Sequence, residues 1–362
     1  MWNIQIEDVQ AIDLESTTFC NLHCPECHRE VDKVWMEGIL NTTHMTKNNI
    51  EDWLKLEELT SLKELKFCGA IDEPAANPHL FDILEYINAT FVNRDRDFFI
   101  DIRTNGSLKT TTWWENLAKL LPRNHRVVFG IDGSDEVSEI YRIGSSFQKV
   151  IDNAVAFINA GGIAAWQFIE FKHNQHQIQD AHNKSVELGF RAFSVMSSSR
   201  DDQSGEIEHV HLEEDEKPAS SANTFNVRVN ATQKTTIKIM CENQGLKSDV
   251  ANGNRILINS LGIVTPCCFL NGFVHMPIAY NKNKSAEDPP FRFEQEPEWD
   301  AIWQKHTERK ISLHHYTLKE ILAGEFFSDI QDSWKSDKPI GRCRDVCGKH
   351  VVDVTKFWTQ NK

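Results

Sequence analysis

The alternation of apolar and polar positions between residues 10 and 197 predicts strands and helices in turn. Six short apolar runs are typical of buried strands, and the segments between them carry apolar residues at helical spacing. The predicted strands span residues 11–15, 62–68, 98–103, 126–132, 165–171 and 190–196, and the predicted helices span 48–59, 79–90, 111–121, 147–160 and 177–188. Six β-α units in series imply a parallel sheet, either an open doubly wound sheet or a partial barrel. In both arrangements we expect function at the carboxyl ends of the strands.

Residues at the predicted helix ends agree with this pattern. Thr46 is placed to cap the first helix. Gly161 and Gly162 end the fourth helix and Gly189 follows the fifth, as a helix C-terminus prefers.

The pattern changes after Ser197. A polar, acidic stretch with few apolar positions follows, which is typical of a linker. A second structured region then carries strand-like runs at 255–260 and 262–270 and a helical pattern over 317–334. The length of the chain suits two domains. The predicted division is a core over residues 1–200, an acidic linker over 201–238 and a second domain over 239–362.

Composition narrows the class of protein. The 362-residue chain is 40% hydrophobic and 25% charged, as globular proteins are. No apolar run is long enough to span a membrane, and the acidic start of the chain lacks the basic flank and apolar run of a signal peptide. The net charge of −14 disfavours a nucleic-acid partner, because such binders normally present a basic surface. We therefore expect a cytoplasmic protein with no membrane partner.

Nine cysteines are distributed unevenly along the chain. Three lie within residues 20–27, one is Cys68, and five lie beyond residue 240. Cytosolic thiols are kept reduced, and an odd number cannot all form disulfides, so ligation of a metal or cluster explains the clustering better. The distribution predicts two metal sites, one in each domain.

The N-terminal cysteines form a C-x3-C-x2-C triplet, CNLHCPEC, directly after the first predicted strand. Three thiolates from one short loop can converge on one inorganic centre, but a structural zinc site needs four ligands. His23 or His28 could complete a Cys3His zinc site. Alternatively, a [4Fe-4S] cluster held by Cys20, Cys24 and Cys27 leaves one iron open to a substrate or cofactor.

The triplet in this position resembles the radical SAM superfamily, and the resemblance continues at the ends of the following strands. FCGAIDEPAANP (67–78) is similar to the family's Gly-Gly-Glu-Pro segment, and RTNG (103–106) is similar to its Thr-Asn-Gly. GIDGS (130–134) and YRIGSSF (141–147) resemble the family's Asp-Gly and Arg-Gly-x-x-x-Phe. The resemblance covers about residues 8–200 and implies an α/β fold, a partial (β/α)6 TIM-like barrel.

The resemblance implies a reaction and a set of residue roles. S-adenosylmethionine (SAM) would bind the open iron and be cleaved reductively to methionine and a 5′-deoxyadenosyl radical, which abstracts hydrogen from a substrate. The implied cluster ligands are Cys20, Cys24 and Cys27. The implied contacts are Gly69, Asp72 and Glu73 at the methionine amino group, Arg142 at the SAM carboxylate, and Asn105 and Asp132 at the ribose or substrate.

Two positions depart from the family pattern. Glu26 stands where the family usually has an aromatic residue near the adenine, and Gly-Gly-Glu is stretched to Gly-Ala-Ile-Asp-Glu. Both changes concern SAM binding more than the cluster. Cys68 is expected to act as a small buried hydrophobic residue rather than as a functional thiol.

The C-terminal cysteines resemble the auxiliary-cluster domains of many radical SAM enzymes, called SPASM with two clusters and twitch with one. A Gly-x4-Cys motif ends at Cys267, and Cys343 and Cys347 form a closely spaced pair. Together with Cys241, these three cysteines supply four ligands, which is enough for a second [4Fe-4S] cluster but not for a third. Cys268 could exchange roles with Cys267, and a structural zinc site is an alternative.

These expectations combine into a radical SAM enzyme that modifies a peptide, a protein or a small molecule oxidatively. Its implied partners are that substrate and an electron donor such as flavodoxin or ferredoxin. A nucleotide or cofactor-precursor substrate, as in molybdopterin-type relatives, is one alternative. A non-catalytic metal-binding protein on the same fold is another, supported only by Glu26 and the altered glycine segment.

Overall fold

The structure of the chain is a computed structural model. It describes residues 4–31, 33–36, 38–55, 57–68, 71–91, 98–121, 125–197, 236–239, 254–272, 274, 297–336, 338–341, 343 and 348–351. Three of the predicted site residues, Gly69, Cys241 and Cys347, lie outside these ranges, as does the predicted linker apart from residues 236–238.

Six parallel strands form the core sheet in strictly sequential order. They are β1 (Ala11–Glu15), β2 (Glu64–Phe67), β3 (Phe99–Thr104), β4 (Arg126–Gly130), β5 (Ile163–Glu170) and β6 (Ala192–Ser197). Their order in the sheet is β6-β5-β4-β3-β2-β1, and each neighbouring pair is parallel. A doubly wound sheet reverses its strand order at a switch point. The sequential order therefore rules out that alternative and confirms the predicted partial barrel.

Helices connect the strands and complete the C-terminal part. They are α1 (His28–Val31), α2 (Lys47–Trp53), α3 (Leu80–Phe91), α4 (Thr111–Leu120), α5 (Ser138–Tyr141), α6 (Phe147–Asn159), α7 (Ile178–Glu187), α8 (Pro297–Lys310), α9 (Leu318–Ala323) and α10 (Glu325–Ser333). Thr46 caps α2 as predicted, because its hydroxyl accepts from the backbone N of Asn49. Gly189 after α7 adopts a φ of +85°, which favours glycine. None of the helices in the described ranges combines the length and apolarity that crossing a bilayer requires.

The two faces of the core sheet differ sharply in polarity. The outer face packs against the helices through fully buried residues such as Ile12, Leu65 and Trp166. The alternate positions face the inside of the barrel, and many of those on β1 to β4 are charged. Asp101, for example, accepts from Arg103 at 3.0 Å and from Arg126 at 2.7 Å. Although burial opposes ionisation, these two guanidinium groups hold the pKa of Asp101 below its usual value.

The C-terminal part of the chain extends the same sheet. Strand β8 (Arg255–Asn259) pairs in parallel with β1, and β9 (Val264–Thr265) pairs antiparallel with β8. Arg255 of β8 forms ion pairs with Asp13 of β1 and Glu64 of β2. Strand β7 (Thr236–Ile239) and β10 (Gly348–Val351) form a separate antiparallel pair.

Three sequence predictions for element bounds need correction. The strand-like run over 262–270 is a strand only at Val264–Thr265, because Pro266 ends it and helical residues begin at Cys268. The helical pattern over 317–334 is two helices, since Gly324 is extended between α9 and α10. The first long helix ends at Trp53 rather than at residue 59, because Leu54 is extended and buried in the core.

Candidate active site

A cavity of about 190 Å³ opens at the carboxyl ends of β1 to β5, where function was expected. The structure brings most of the predicted site residues together there. Its lining includes Cys20, Cys24, Cys27, Asp72, Glu73, Asn105 and Arg142. Asp132 lies directly behind it, bonded to Arg142.

The cysteine loop leaves β1 and folds back over the strand ends. The backbone N of Cys27 donates to the carbonyl of Cys24 at 3.0 Å, which makes a tight turn between these two cysteines. The backbone N of His23 donates to the carbonyl of Ile143 at 2.9 Å, so the loop is tied to the segment that carries Arg142.

A buried arginine anchors the same loop from behind. Arg29 is 4% exposed, and its Nη1 donates to the carbonyls of Thr18 at 2.7 Å and Ile71 at 3.1 Å. Its Nη2 donates to Oδ1 of Asn41 at 2.5 Å. The planar guanidinium therefore joins three separate loops around the cysteines, a geometry that a lysine cannot reproduce.

The surroundings of the Cys20 thiol perturb its pKa. Burial, the Glu73 carboxylate and the other two cysteines together raise its pKa to about 12, against a hydrogen bond from the backbone of Leu22. The thiol is therefore protonated at neutral pH, and binding to a metal centre would displace that proton.

Glu73 is buried and its carboxylate is fully engaged by the protein. Oε1 accepts from the hydroxyl of Thr104 at 2.6 Å and from the backbone N of Ala75 at 3.1 Å. Oε2 accepts from the backbone N of Asn105 at 2.7 Å. Burial raises the pKa of Glu73, and these hydrogen bonds oppose the rise. Glu73 thus joins the ends of β2 and β3 beneath the cavity. Asp72 beside it accepts from the backbone N of Ser16 at 3.0 Å.

Arg142 enters the cavity over a glycine. A Cβ on Gly130 would lie 2.6 Å from Nη2 of Arg142, so the guanidinium occupies the space that the missing side chain leaves. Burial opposes the charge of Arg142, but Asp132 and Cys24 raise its pKa above the usual value. The arginine is therefore a permanent cation beside the cysteine loop.

Asn105 and Asp132 make contacts other than those implied by the resemblance. Nδ2 of Asn105 lies 3.8 Å from Sγ of Cys20 and donates to Oδ1 of Asn21 at 3.0 Å. Both carboxylate oxygens of Asp132 accept within the protein, from Arg142 Nε and from the backbone N of Ile169, each at 2.8 Å.

Several cavity residues were missed by sequence reasoning. Arg103 and Gln167 line it from the inner face of the sheet, and Nη1 of Arg103 donates to Oε1 of Gln167 at 2.9 Å. Tyr141 and Ile169 supply apolar surface and pack together with Cys24. Strand alternation could have placed Arg103 and Gln167 on the inner face, but not their contact.

Three further residues bear on the alternatives left open by the sequence. Nδ1 of His23 lies 2.9 Å from Oε1 of Glu30, with the His23 side chain 61% exposed, which does not favour His23 as a zinc ligand. Glu26, which departs from the family pattern, is buried, with 4% of its surface exposed. Cys68 also lines the cavity, and burial raises its pKa well above the usual value.

The described C-terminal cysteines lie in two different surroundings. Burial and the neighbouring thiols of Cys268 and Cys343 raise the pKa of Cys267. Burial also raises the pKa of Cys268. Asp13 on the inner face of the sheet adds to this rise, whereas Lys66 on the same face opposes it. Cys267 packs against the apolar core that contains Cys343.

The described residues fit an iron–sulfur cluster by the chemistry of their donors. Three thiols line one cavity, and thiolates are the ligands that such clusters take. Among the described side chains, no group of three or more Cys, His, Asp or Glu residues stands in the arrangement of a metal site.

Residues 14–169 match the family model described as the radical SAM superfamily. These residues resemble a radical SAM domain. The matched range contains the cysteine triplet, the Arg142–Asp132 pair and the strand ends that surround the cavity. No curated protein matched the chain significantly.

Two solved structures of Streptococcus suis SuiB resemble the chain. With SuiB bound to S-adenosylmethionine the TM-score is 0.52 at 16% identity, over 73% of this chain and 61% of SuiB. With SuiB bound to its precursor peptide SuiA the TM-score is 0.50 at 13% identity, over 93% of this chain and 76% of SuiB. In the first match the chain spans less than two thirds of the SuiB length. At these identities the likeness establishes the fold.

Proposed function

We propose that this chain is a radical SAM enzyme in which Cys20, Cys24 and Cys27 hold a [4Fe-4S] cluster with one open iron. The observation that carries the proposal is the common cavity: the three thiols, Arg142 and Asn105 all line it, within the radical SAM domain. When bound, the cluster and SAM would supply radical chemistry that removes a hydrogen atom from the substrate.

The protein's own residues bind and orient the cofactor. Arg142 is held by Asp132 and would pair with the SAM carboxylate, for which a fixed planar cation is well suited. Gly69 and Asp72 are proposed near the methionine amino group, with Glu73 bracing the strand ends beneath them. Asp132 is proposed to act through Arg142, and Asn105 through Cys20.

A second [4Fe-4S] cluster is proposed on Cys241, Cys267, Cys343 and Cys347, in an auxiliary domain of the twitch or SPASM type. Its support is that Cys267 packs against the apolar core that contains Cys343. Full ligation by four cysteines would favour electron transfer or a structural role. A structural zinc site is the competing proposal.

A peptide or protein side chain is the preferred substrate. It is supported by SuiB, which has been solved with a precursor peptide on a fold that overlaps 93% of this chain. Flavodoxin or ferredoxin in the cytoplasm is the proposed electron donor. A nucleotide or cofactor precursor is the alternative substrate, and co-purified ligands would distinguish it. A non-catalytic metal-binding protein is the remaining alternative and requires metal without SAM cleavage.

The test is anaerobic reconstitution followed by iron and sulfide counts. Dithionite and SAM are then added and 5′-deoxyadenosine is assayed. We expect about eight irons per chain with both clusters, and loss of about four irons and of 5′-deoxyadenosine in Cys24→Ala. Cys68→Ala, which removes another cavity thiol, is the matched control and should keep its iron. Zinc in place of iron, or iron without SAM cleavage under any reductant, would overturn the proposal.

A further inference from the structure

The carboxamide of Asn105 contacts one of the proposed cluster ligands. Its Nδ2 lies 3.8 Å from Sγ of Cys20, within the range of a long N–H···S hydrogen bond, and 3.0 Å from Oδ1 of Asn21. An amide nitrogen carries two N–H groups, so each acceptor can receive one. Asn105 is only 6% exposed, which limits competition from water for these contacts.

Three side chains form a closed ring of hydrogen bonds that fixes this amide. Asn105 Nδ2 donates to Asn21 Oδ1, Asn21 Nδ2 donates to Ser107 Oγ at 2.8 Å, and Ser107 Oγ donates to Asn105 Oδ1 at 2.7 Å. Such rings strengthen their members mutually, because each donor is polarised by the bond it accepts.

The main chain holds the same orientation independently. The backbone N of Ser107 also donates to Oδ1 of Asn105, at 2.9 Å, and the backbone N of Asn105 donates to Glu73 at 2.7 Å. Since Oδ1 already accepts from two donors, Nδ2 is the end of the carboxamide that faces Cys20. The amide is thus directed at the sulfur before any cofactor is bound.

We infer that Asn105 is a positioning residue that raises the reduction potential of the cluster on Cys20, Cys24 and Cys27 by hydrogen-bonding to the Cys20 sulfur. This inference rests on the proposed function, because it requires that cluster. The reduced cluster carries one more negative charge than the oxidised cluster, and a donor at a ligand sulfur stabilises that charge. Asn105 therefore makes the cluster easier to reduce.

The test compares midpoint potentials of reconstituted wild type and Asn105→Ala, read from the EPR signal of the reduced cluster during a redox titration. We expect the midpoint potential of Asn105→Ala to be more negative by roughly 59 mV for a one-electron couple. At a fixed solution potential, this shift lowers the ratio of reduced to oxidised cluster about tenfold. Ser107→Ala should shift the midpoint in the same direction but less, because the backbone N of Ser107 still holds Oδ1. The matched control is Asn88→Ala, whose amide donates to the Leu120 carbonyl at 2.8 Å; its midpoint should stay unchanged.

The outcomes separate this inference from the proposed function. Wild-type midpoints in both Asn105→Ala and Ser107→Ala overturn the inference and leave the proposed function standing. If Asn105→Ala takes up no iron, Ser107→Ala decides alone, and an unshifted midpoint there overturns the inference. A wild-type chain that holds no cluster overturns both.

Discussion

Arg142 is directed into the cavity by Asp132, whose Oδ2 accepts from Nε of Arg142 at 2.8 Å. Asp132 is fully buried and only 14% of the Arg142 side chain is exposed. Oδ1 of Asp132 accepts from the backbone N of Ile169, so the carboxylate is fixed by β5 as well. Buried charges are stable only when they are paired. The pair therefore serves both the fold and the direction of the guanidinium.

Replacing Asp132 by Asn should reduce both stability and SAM affinity. Asn keeps an acceptor for Ile169 but leaves the charge of Arg142 uncompensated. Removing one partner of a buried pair costs about 3–5 kcal/mol of unfolding free energy. We also expect SAM affinity to fall about tenfold or more, since a misdirected guanidinium loses its charge-assisted bonds. Urea unfolding and equilibrium dialysis with reconstituted protein measure the two effects.

The matched control is Asp135→Asn, in the same loop. The carboxylate of Asp135 accepts from Gln177 and from the backbone N of Val137 rather than from Arg142. Its SAM affinity should remain that of the wild type. Wild-type affinity in Asp132→Asn would show that Arg142 does not need this partner to bind SAM.

A methyl group at Gly130 should displace Arg142 without disturbing the strand. The new Cβ would meet Nη2 at 2.6 Å and Cζ at 2.9 Å, both at the far end of a flexible side chain. We expect Gly130→Ala to weaken SAM binding about tenfold and to lower the unfolding free energy by about 1–3 kcal/mol, because the displaced guanidinium strains its ion pair with Asp132. Gly272→Ala is the control, because nothing lies within 4 Å of its added Cβ. Equal SAM affinities in the two variants would contradict the assigned contact.

The core strands were predictable because their local pattern determines their burial. Strand β1 matches its predicted range, residues 11–15, and all five of its residues are buried. The pairing of β8 with β1 could not be predicted in this way. RILINS shows that a strand forms at residues 255–260, but not that Arg255 reaches Asp13 and Glu64. Such long-range partners depend on topology.

The same distinction holds within the site. The cysteines and Arg142 were found from motifs at strand ends, where their position along the chain carries the information. The contact between Asn105 and Cys20 depends on how one amide is turned, and Asn21 and Ser107 determine that orientation. Nothing in the spacing of RTNG encodes it.

Arg29 should be needed to hold the cysteine loop in place. It joins the carbonyls of Thr18 and Ile71 and the side chain of Asn41 through one planar group. Lysine keeps the charge but has a single donor centre, so Arg29→Lys cannot make all three contacts. We expect a loss of about 1–3 kcal/mol in unfolding free energy, since buried carbonyls lose a donor, and less iron per chain after reconstitution.

The two readouts are urea unfolding and iron counts on the same preparation. The surface arginine change Arg191→Lys is the control, because Arg191 is exposed. Full iron content together with wild-type stability in Arg29→Lys would contradict the proposed anchoring.

His125 should contribute a distinct acid sensitivity to the fold. It is 1% exposed, and its Nδ1 accepts from the backbone N of Ile100 at 3.3 Å. Burial lowers its pKa from 6.5 to about 4. In the unfolded chain His125 is protonated below pH 6.5, whereas in the folded chain it is protonated only below about pH 4. The unfolding free energy therefore falls as the pH falls from 6.5 to 4. The shift corresponds to about 3 kcal/mol.

The change His125→Asn isolates this contribution. Asn can still accept from Ile100 but does not titrate, so its unfolding free energy should fall less than that of the wild type between pH 6.5 and 4. Urea unfolding curves at several pH values measure the difference. His315→Asn, at an exposed position, should keep the wild-type pH dependence. If the unfolding free energies of His125→Asn and the wild type fall in parallel over this range, His125 is protonated in the folded chain as readily as in the unfolded chain, and the prediction is contradicted.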